Sequence, residues 1–384
     1  MTCLRFINPS CESLYKTFET HFSSGAYQAY QEELSPLLER YKRLCQDRGS
    51  RRKFSLYLTD KTNARTLKSS DVSLFFTAIG YYANDAFQGL PALASCLHRF
   101  GYTEDACLIK DIAHDELGEE GKKQRPHRDL LNDARVVLSE ICRQQNWNTS
   151  TSNVNSNQDI QTWRDETRHR VHKLHTMQEF DPLYTLQAIM HTAMSECLAA
   201  KGEKGDTPSH IQIIRQIIEY VEANLWNRTI TSSFNQAKKM SGLMWAWHDA
   251  HNSPEEDRKN YTVEEDHALQ IQSVLRRHLE KLPPELAIQA FKNHVQQEAI
   301  RDGFWKGITH DMSQYSQSSV NIPHTPMERT ERPNRLEFEF RKMMDFSIGT
   351  GLVLAQLGLS AVGGLALAKD TLLRQTHVTT YGLR

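Results

Sequence analysis

Residues 211–221 read IQIIRQIIEYV, and Ile211, Ile214, Ile217, Ile218 and Val221 recur at intervals of three and four. That period puts the apolar side chains on one face of an α-helix, whereas a half-buried strand would alternate at two. Leu37, Leu38, Tyr41 and Leu44 repeat the pattern, and no alternating Val/Ile/Thr run bounded by tight turns interrupts it elsewhere. The spacing predicts an all-α chain, with helices near 11–46, 71–100, 103–120, 126–146, 160–178, 182–200, 208–225, 230–249, 261–281 and 284–303. Thr103, Asp181 before Pro182, and Thr262 before Glu264 and Glu265 stand where helix starts need a side-chain acceptor. Helices without a sheet imply a bundle.

The chain has 384 residues, with Gly 18 and Pro 12. Residues 144–161, QQNWNTSTSNVNSNQDIQ, are too poor in apolar side chains to offset the entropy of ordering them and read as a flexible insertion. Residues 313–334 combine Ser, Gln and Pro and read as a linker. The expected organisation is an amino-terminal helical extension (1–64), a helical domain (65–312), this linker and a C-terminal segment (335–384). Within the last, 346–368 (FSIGTGLVLAQLGLSAVGGLALA) carry no charge and are long enough to span a bilayer. The other reading of that stretch is a helix packed on its own domain or on a partner chain.

Lys plus Arg number 46 and Asp plus Glu 47, so no field of one sign exists to draw in nucleic acid. Seven scattered cysteines without a C-x-x-C pair suit a reducing compartment. The amino terminus MTCLRFINPSCESLYK has no apolar core of a signal peptide, and a cytoplasmic location is expected.

Three stretches carry candidate chemistry. In LIKDIAHDELGEEGKKQRPHRDLLNDA (108–134), acidic residues including Asp115 and Glu116 crowd a helix C-terminus, where the macrodipole disfavours them and a bound cation would compensate; His127 opens the next helix. In NYTVEEDHALQIQSVLRRH (260–278), Glu264 and His267 lie three apart on one helix face, the spacing by which helical di-iron bundles present carboxylate and imidazole together. Glu196 sits in the apolar stretch AIMHTAMSECLAA, where a carboxylate costs several kcal/mol unless it is paired or metal-bound. His191 lies five residues earlier, off the Glu196 face.

In this order the pieces resemble the heme-oxygenase-like di-iron oxidases, also described as iron-containing redox enzymes. Asp115-Glu116-Leu117-Gly118 followed by His127 resembles that family's Asp/Glu-Glu-Leu-Gly turn and its His; Glu196 resembles the lone Glu of a middle helix. Asn260-x3-Glu264-x2-His267 resembles its His-x3-Asp-x2-His helix, with Asn260 and Glu264 replacing a His and an Asp. Asp85 is the nearest counterpart of the family's earliest carboxylate. The resemblance covers roughly residues 65–312. It implies a heme-oxygenase-like bundle and one or two iron ions held by Glu116, His127, Glu196, Glu264 and His267, with Asp85 and Asn260 as weaker candidates. It further implies dioxygen activation toward a small organic substrate, and a homodimer. The rival expectation is a non-catalytic helical scaffold with a degenerate site, tethered to a membrane through 346–368. Trp245, Trp247 and His248 would then offer a partner surface. A heme-degrading reading would rest on His21 and a thiaminase-like one on Cys197.

Overall fold

The computed structural model describes residues 10–45, 49–64, 66, 69–117, 125–144, 157–200, 210–224, 231–252 and 262–318. Asn260, the linker beyond Ser318, the apolar stretch 346–368 and most of the insertion lie outside them. The described residues form helices and no strand, as the periodicity predicts. In chain order these are α1 (Cys11–Phe22), a 3-10 turn (Gly25–Tyr30), α2 (Gln31–Cys45), α3 (Ser50–Asn63), α4 (Ser69–Arg99), α5 (Thr103–Leu117) and α6 (His127–Gln144). There follow α7 (Gln158–Thr176), α8 (Pro182–Ala199), α9 (His210–Asn224), α10 (Thr231–Asn252), α11 (Val263–Lys281) and α12 (Pro284–Ser318). Among the described residues no helix is long and apolar enough to cross a membrane.

Local chemistry sets most of the boundaries. Asp181 accepts a hydrogen bond from the Tyr184 amide (2.9 Å) ahead of Pro182, and Thr262 and Glu265 cap one another's amides at the start of α11. Gly101, at φ 85°, makes the left-handed turn between α4 and α5 that residues with a Cβ rarely adopt. Thr103 is the first helical residue rather than the cap expected of it.

The structure departs from the periodic reading at three places. The single helix expected over 11–46 is broken: Ser23 terminates α1 and Ser24 is extended, so that Phe22 packs on both Tyr27 and Phe291. α3 falls inside the expected helical extension but is not among the helices the spacing predicts; its weak amphipathic pattern becomes a helix because Phe54 and Leu58 are buried under α12. α12 does not stop near 303 but runs into the stretch read as linker. Its glycines sit inside the helix because α7 docks there: a Cβ at Gly307 would lie 2.8 Å from the Asn157 side chain, which donates to the Gly307 carbonyl and to Asp311.

Two apolar clusters build the interior. One gathers Phe18, Tyr41, Ile109, Ile112, Ile189, Met190, Ile271 and Phe291, drawing on α1, α2, α5, α8, α11 and α12. The other gathers Phe54, Phe75, Trp163, Leu131, Ile217, Met244 and Phe304, drawing on α3, α4, α6, α7, α9, α10 and α12. α5 packs on α6, and α10 packs on both α6 and α11, so these helices join the two clusters.

Candidate metal centre

The joint between the clusters holds the candidate residues. α5 ends with Asp115 and Glu116, α6 begins with His127, α8 carries Glu196 near its end, α10 closes with His251, and α11 opens with Glu264 and His267. Helix ends therefore converge on one volume: α5, α8 and α11 come from the first cluster, α6 and α10 from the second. The capping box at Thr262 and Glu265 fixes the first turn of α11 and with it the direction of Glu264.

All six donors are buried. The Glu116 carboxylate lies 3.4 Å from His127 Nδ1 and 3.6 Å from His251 Nε2. His251 Nε2 is also 3.6 Å from Glu264, and His267 Nδ1 is 3.7 Å from Glu196. These separations of 3.4–3.7 Å are too long for good hydrogen bonds. Among the described residues two groups of donor atoms each lie within 4.8 Å of one another: Glu116, His127 and His251, and Glu116, Glu264 and His267. Glu116 belongs to both. Three facing atoms, His127 Nδ1, Glu264 Oε1 and His267 Nδ1, have no hydrogen-bond partner although fully buried. Such orphans are costly unless a ligand satisfies them, and a cation shared by these donors would do so.

The hydrogen bonds behind the rings orient them. His251 Nδ1 donates to the Trp247 carbonyl (2.7 Å), because a carbonyl can only accept, and Nε2 is left free to face Glu116 and Glu264. His267 is held the other way round: Nε2 donates to Asp115 (3.0 Å), leaving Nδ1 toward Glu196. The rings of His127 and His251 lie 3.9 Å apart, and Trp247 covers the far side of His251 at 4.0 Å. Trp247 is therefore a wall of the site rather than a partner surface, and Trp245 donates to Glu222.

Charge is distributed to match. Burial would raise the Glu116 carboxyl, but His127 and His251 outweigh it and hold the group well below the usual carboxylate range. Burial, with Glu196 and Glu116 close by, pushes Glu264 well above that range despite His267. Burial and the neighbouring His127 bring His251 down to about 4. His267 is raised well above the ordinary imidazole range, since its hydrogen bond to Asp115 and the nearby Glu196 and Glu264 carboxyls overcome burial. Glu264 and His267 are thus the two groups of the cluster whose surroundings favour the protonated form.

The structure brings together five of the expected residues, Glu116, His127, Glu196, Glu264 and His267, and adds His251, which sequence reasoning missed. The signal was present in MWAWHDAH, where a second imidazole follows His248 at i+3 on a helix, but only the tertiary contact with α5 and α11 gives it meaning. Asp85 belongs elsewhere. It pairs with Arg170 and accepts from His191 Nε2 (2.7 Å) in a separate buried network. There Arg301 binds Glu298 (2.9 Å), Ser195 (2.9 Å) and the His191 carbonyl (3.2 Å). Fully salt-bridged to a guanidinium, Asp85 has no reason to turn toward a metal. Cys197 points toward Gln272 (3.2 Å) with its thiol pushed up by burial, and His21 bonds the Tyr27 hydroxyl (2.7 Å); neither joins the site.

Compared with family models, with curated proteins and with solved structures, the chain matches none.

Proposed function

We propose that this protein is a non-heme iron oxidase of heme-oxygenase-like fold that uses dioxygen to oxidise a small organic substrate. The observation that carries the reading is the pair of buried donor groups sharing Glu116, with three donor atoms left unpartnered. Three imidazoles and three carboxylates, with no thiolate, suit iron, manganese or zinc rather than a soft ion. One carboxylate common to two donor groups favours two ions over one. Glu116, His127 and His251 would hold the first ion, and Glu116, Glu264 and His267, with Glu196 alongside, the second.

Iron bound there would supply the redox chemistry toward dioxygen. The chain's own part is placement and exclusion of water. Trp247 shields His251, the ring-nitrogen bonds to Asp115 and the Trp247 carbonyl fix which nitrogen faces inward, and all six donors are buried away from water. A cation held there would compete with protons for Glu264 and His267. The scaffold reading, in which the site has decayed for want of a His at position 260, is weakened because His251 supplies a third imidazole.

The test is to purify the full chain anaerobically with ferrous iron, count bound metal, and follow iron oxidation and dioxygen uptake. Close to two irons per chain, lost in Glu116→Ala and oxidised by dioxygen, is the expected result. Tight binding of zinc alone with no response to dioxygen would overturn the oxidase while keeping the metal centre. No metal in a folded helical chain would overturn both.

A further inference from the structure

We propose that Asp115 is a positioning residue that sets the metal affinity of one half of the centre, acting through His267. This rests on the metal reading above. Asp115 and Glu116 are neighbours on the last turn of α5, yet they do different things: Glu116 points into both donor groups, while Asp115 accepts the hydrogen bond from His267 Nε2 at 3.0 Å from the opposite side of the ring. An imidazole has one lone pair to give, and the hydrogen on Nε2 commits it to Nδ1. Nδ1 is the atom that lies buried without a partner near Glu196. A carboxylate behind a ligating imidazole both locks the ring angle and makes the inward nitrogen a stronger donor.

The other half is built differently. His251 is oriented by a main-chain carbonyl, which is uncharged and which no side-chain substitution removes. Asp115 is also the one member of this constellation that reaches solvent, its side chain being 32% exposed while those of Glu116, His127, Glu196, His251, Glu264 and His267 are at most 8%. Its removal leaves no buried hole beside the donors, so an effect on metal binding is separable from an effect on folding. The two halves should therefore answer differently to the same substitution.

The experiment uses the metal-free full chain titrated with cobalt(II) alone against a competing chelator, with visible absorption reporting the coordination of each equivalent. His267→Ala and His251→Ala identify which equivalent belongs to which half. Asp115→Ala is expected to weaken the equivalent that His267→Ala abolishes by about 10–100-fold, the usual cost of losing such an outer partner, and to leave the other unchanged. Asp115→Asn keeps an acceptor oxygen and is expected to restore most of the loss. Equal weakening of both equivalents, no weakening of either, or an Asn variant no better than Ala would overturn the proposal while the metal reading stands. Wild-type protein that takes up no cobalt would overturn the metal reading and this proposal together.

Discussion

Replacing His251 separates the centre seen in three dimensions from the one read along the chain. His251 Nε2 is shared between Glu116 and Glu264, so His251→Ala strips one of three donors from the Glu116–His127 group and leaves the Glu116–Glu264–His267 group whole. Binding free energies of about 10–16 kcal/mol for a four-donor zinc site correspond to roughly 3 kcal/mol per donor, or a loss of about 100–1,000-fold for one equivalent of metal. The second equivalent should bind as before. His251→Gln keeps bulk between the His127 and Trp247 rings, which sit at 3.9 and 4.0 Å, while offering only an amide, and should lose the same equivalent. Asp85→Asn is the comparator: its partners are Arg170 and His191, so metal stoichiometry should not change. Zinc and cobalt titrations of the three variants, each checked for helicity, decide the matter. If His251→Gln binds both equivalents with wild-type affinity, or Asp85→Asn loses one, the assignment of the sixth donor is wrong.

Metal uptake should release protons and strengthen as pH rises, because Glu264 and His267 are both raised in the metal-free protein; calorimetry in two buffers of different ionisation enthalpy will count the protons. Burial pushes the Glu298 carboxyl up to about 7, against an ordinary value near 4.5, so the folded state binds this proton more tightly than the unfolded one. Relative to Glu298→Gln, wild-type stability should accordingly rise by about 3 kcal/mol as pH falls through that window and be lost again above it. Urea melts at pH 5 and pH 8 that shift in parallel for the two proteins would contradict this. Arg301→Met leaves the buried Glu298 uncompensated and should cost about 3–5 kcal/mol of stability, measurable by denaturant unfolding. Thr262→Ala removes the cap at the start of α11 and should cost about 1 kcal/mol, with a parallel decrease in metal affinity because Glu264 lies in the turn the cap fixes.

Ile214, Ile217 and Ile218 announce a helix because apolar periodicity is a local property, and α9 forms where their spacing places it. The same holds for the caps at Asp181 and Thr262, whose hydrogen bonds span three residues. Five of the six donors were legible on similar grounds: a carboxylate on an apolar stretch at Glu196, an acidic helix end at Glu116, an i, i+3 pair at Glu264 and His267, and a His opening a helix at position 127. What local pattern could not supply was which side chains meet. Asp85 and His251 are each a polar residue on a helix that reads as mostly apolar or neutral. Only the docking of α4 against α7 and α8 hands Asp85 to Arg170, and only the docking of α10 against α6 and α11 turns His251 toward Glu116. The break in 11–46, the formation of α3 and the continuation of α12 have the same origin, since each is decided by what the segment can bury against once the rest of the bundle is in place. The sequence determined the helices and the kinds of atom available for chemistry. The tertiary structure decided which of those atoms share one buried volume, because the cost of burying a charge depends on its neighbours across the fold and not along the chain.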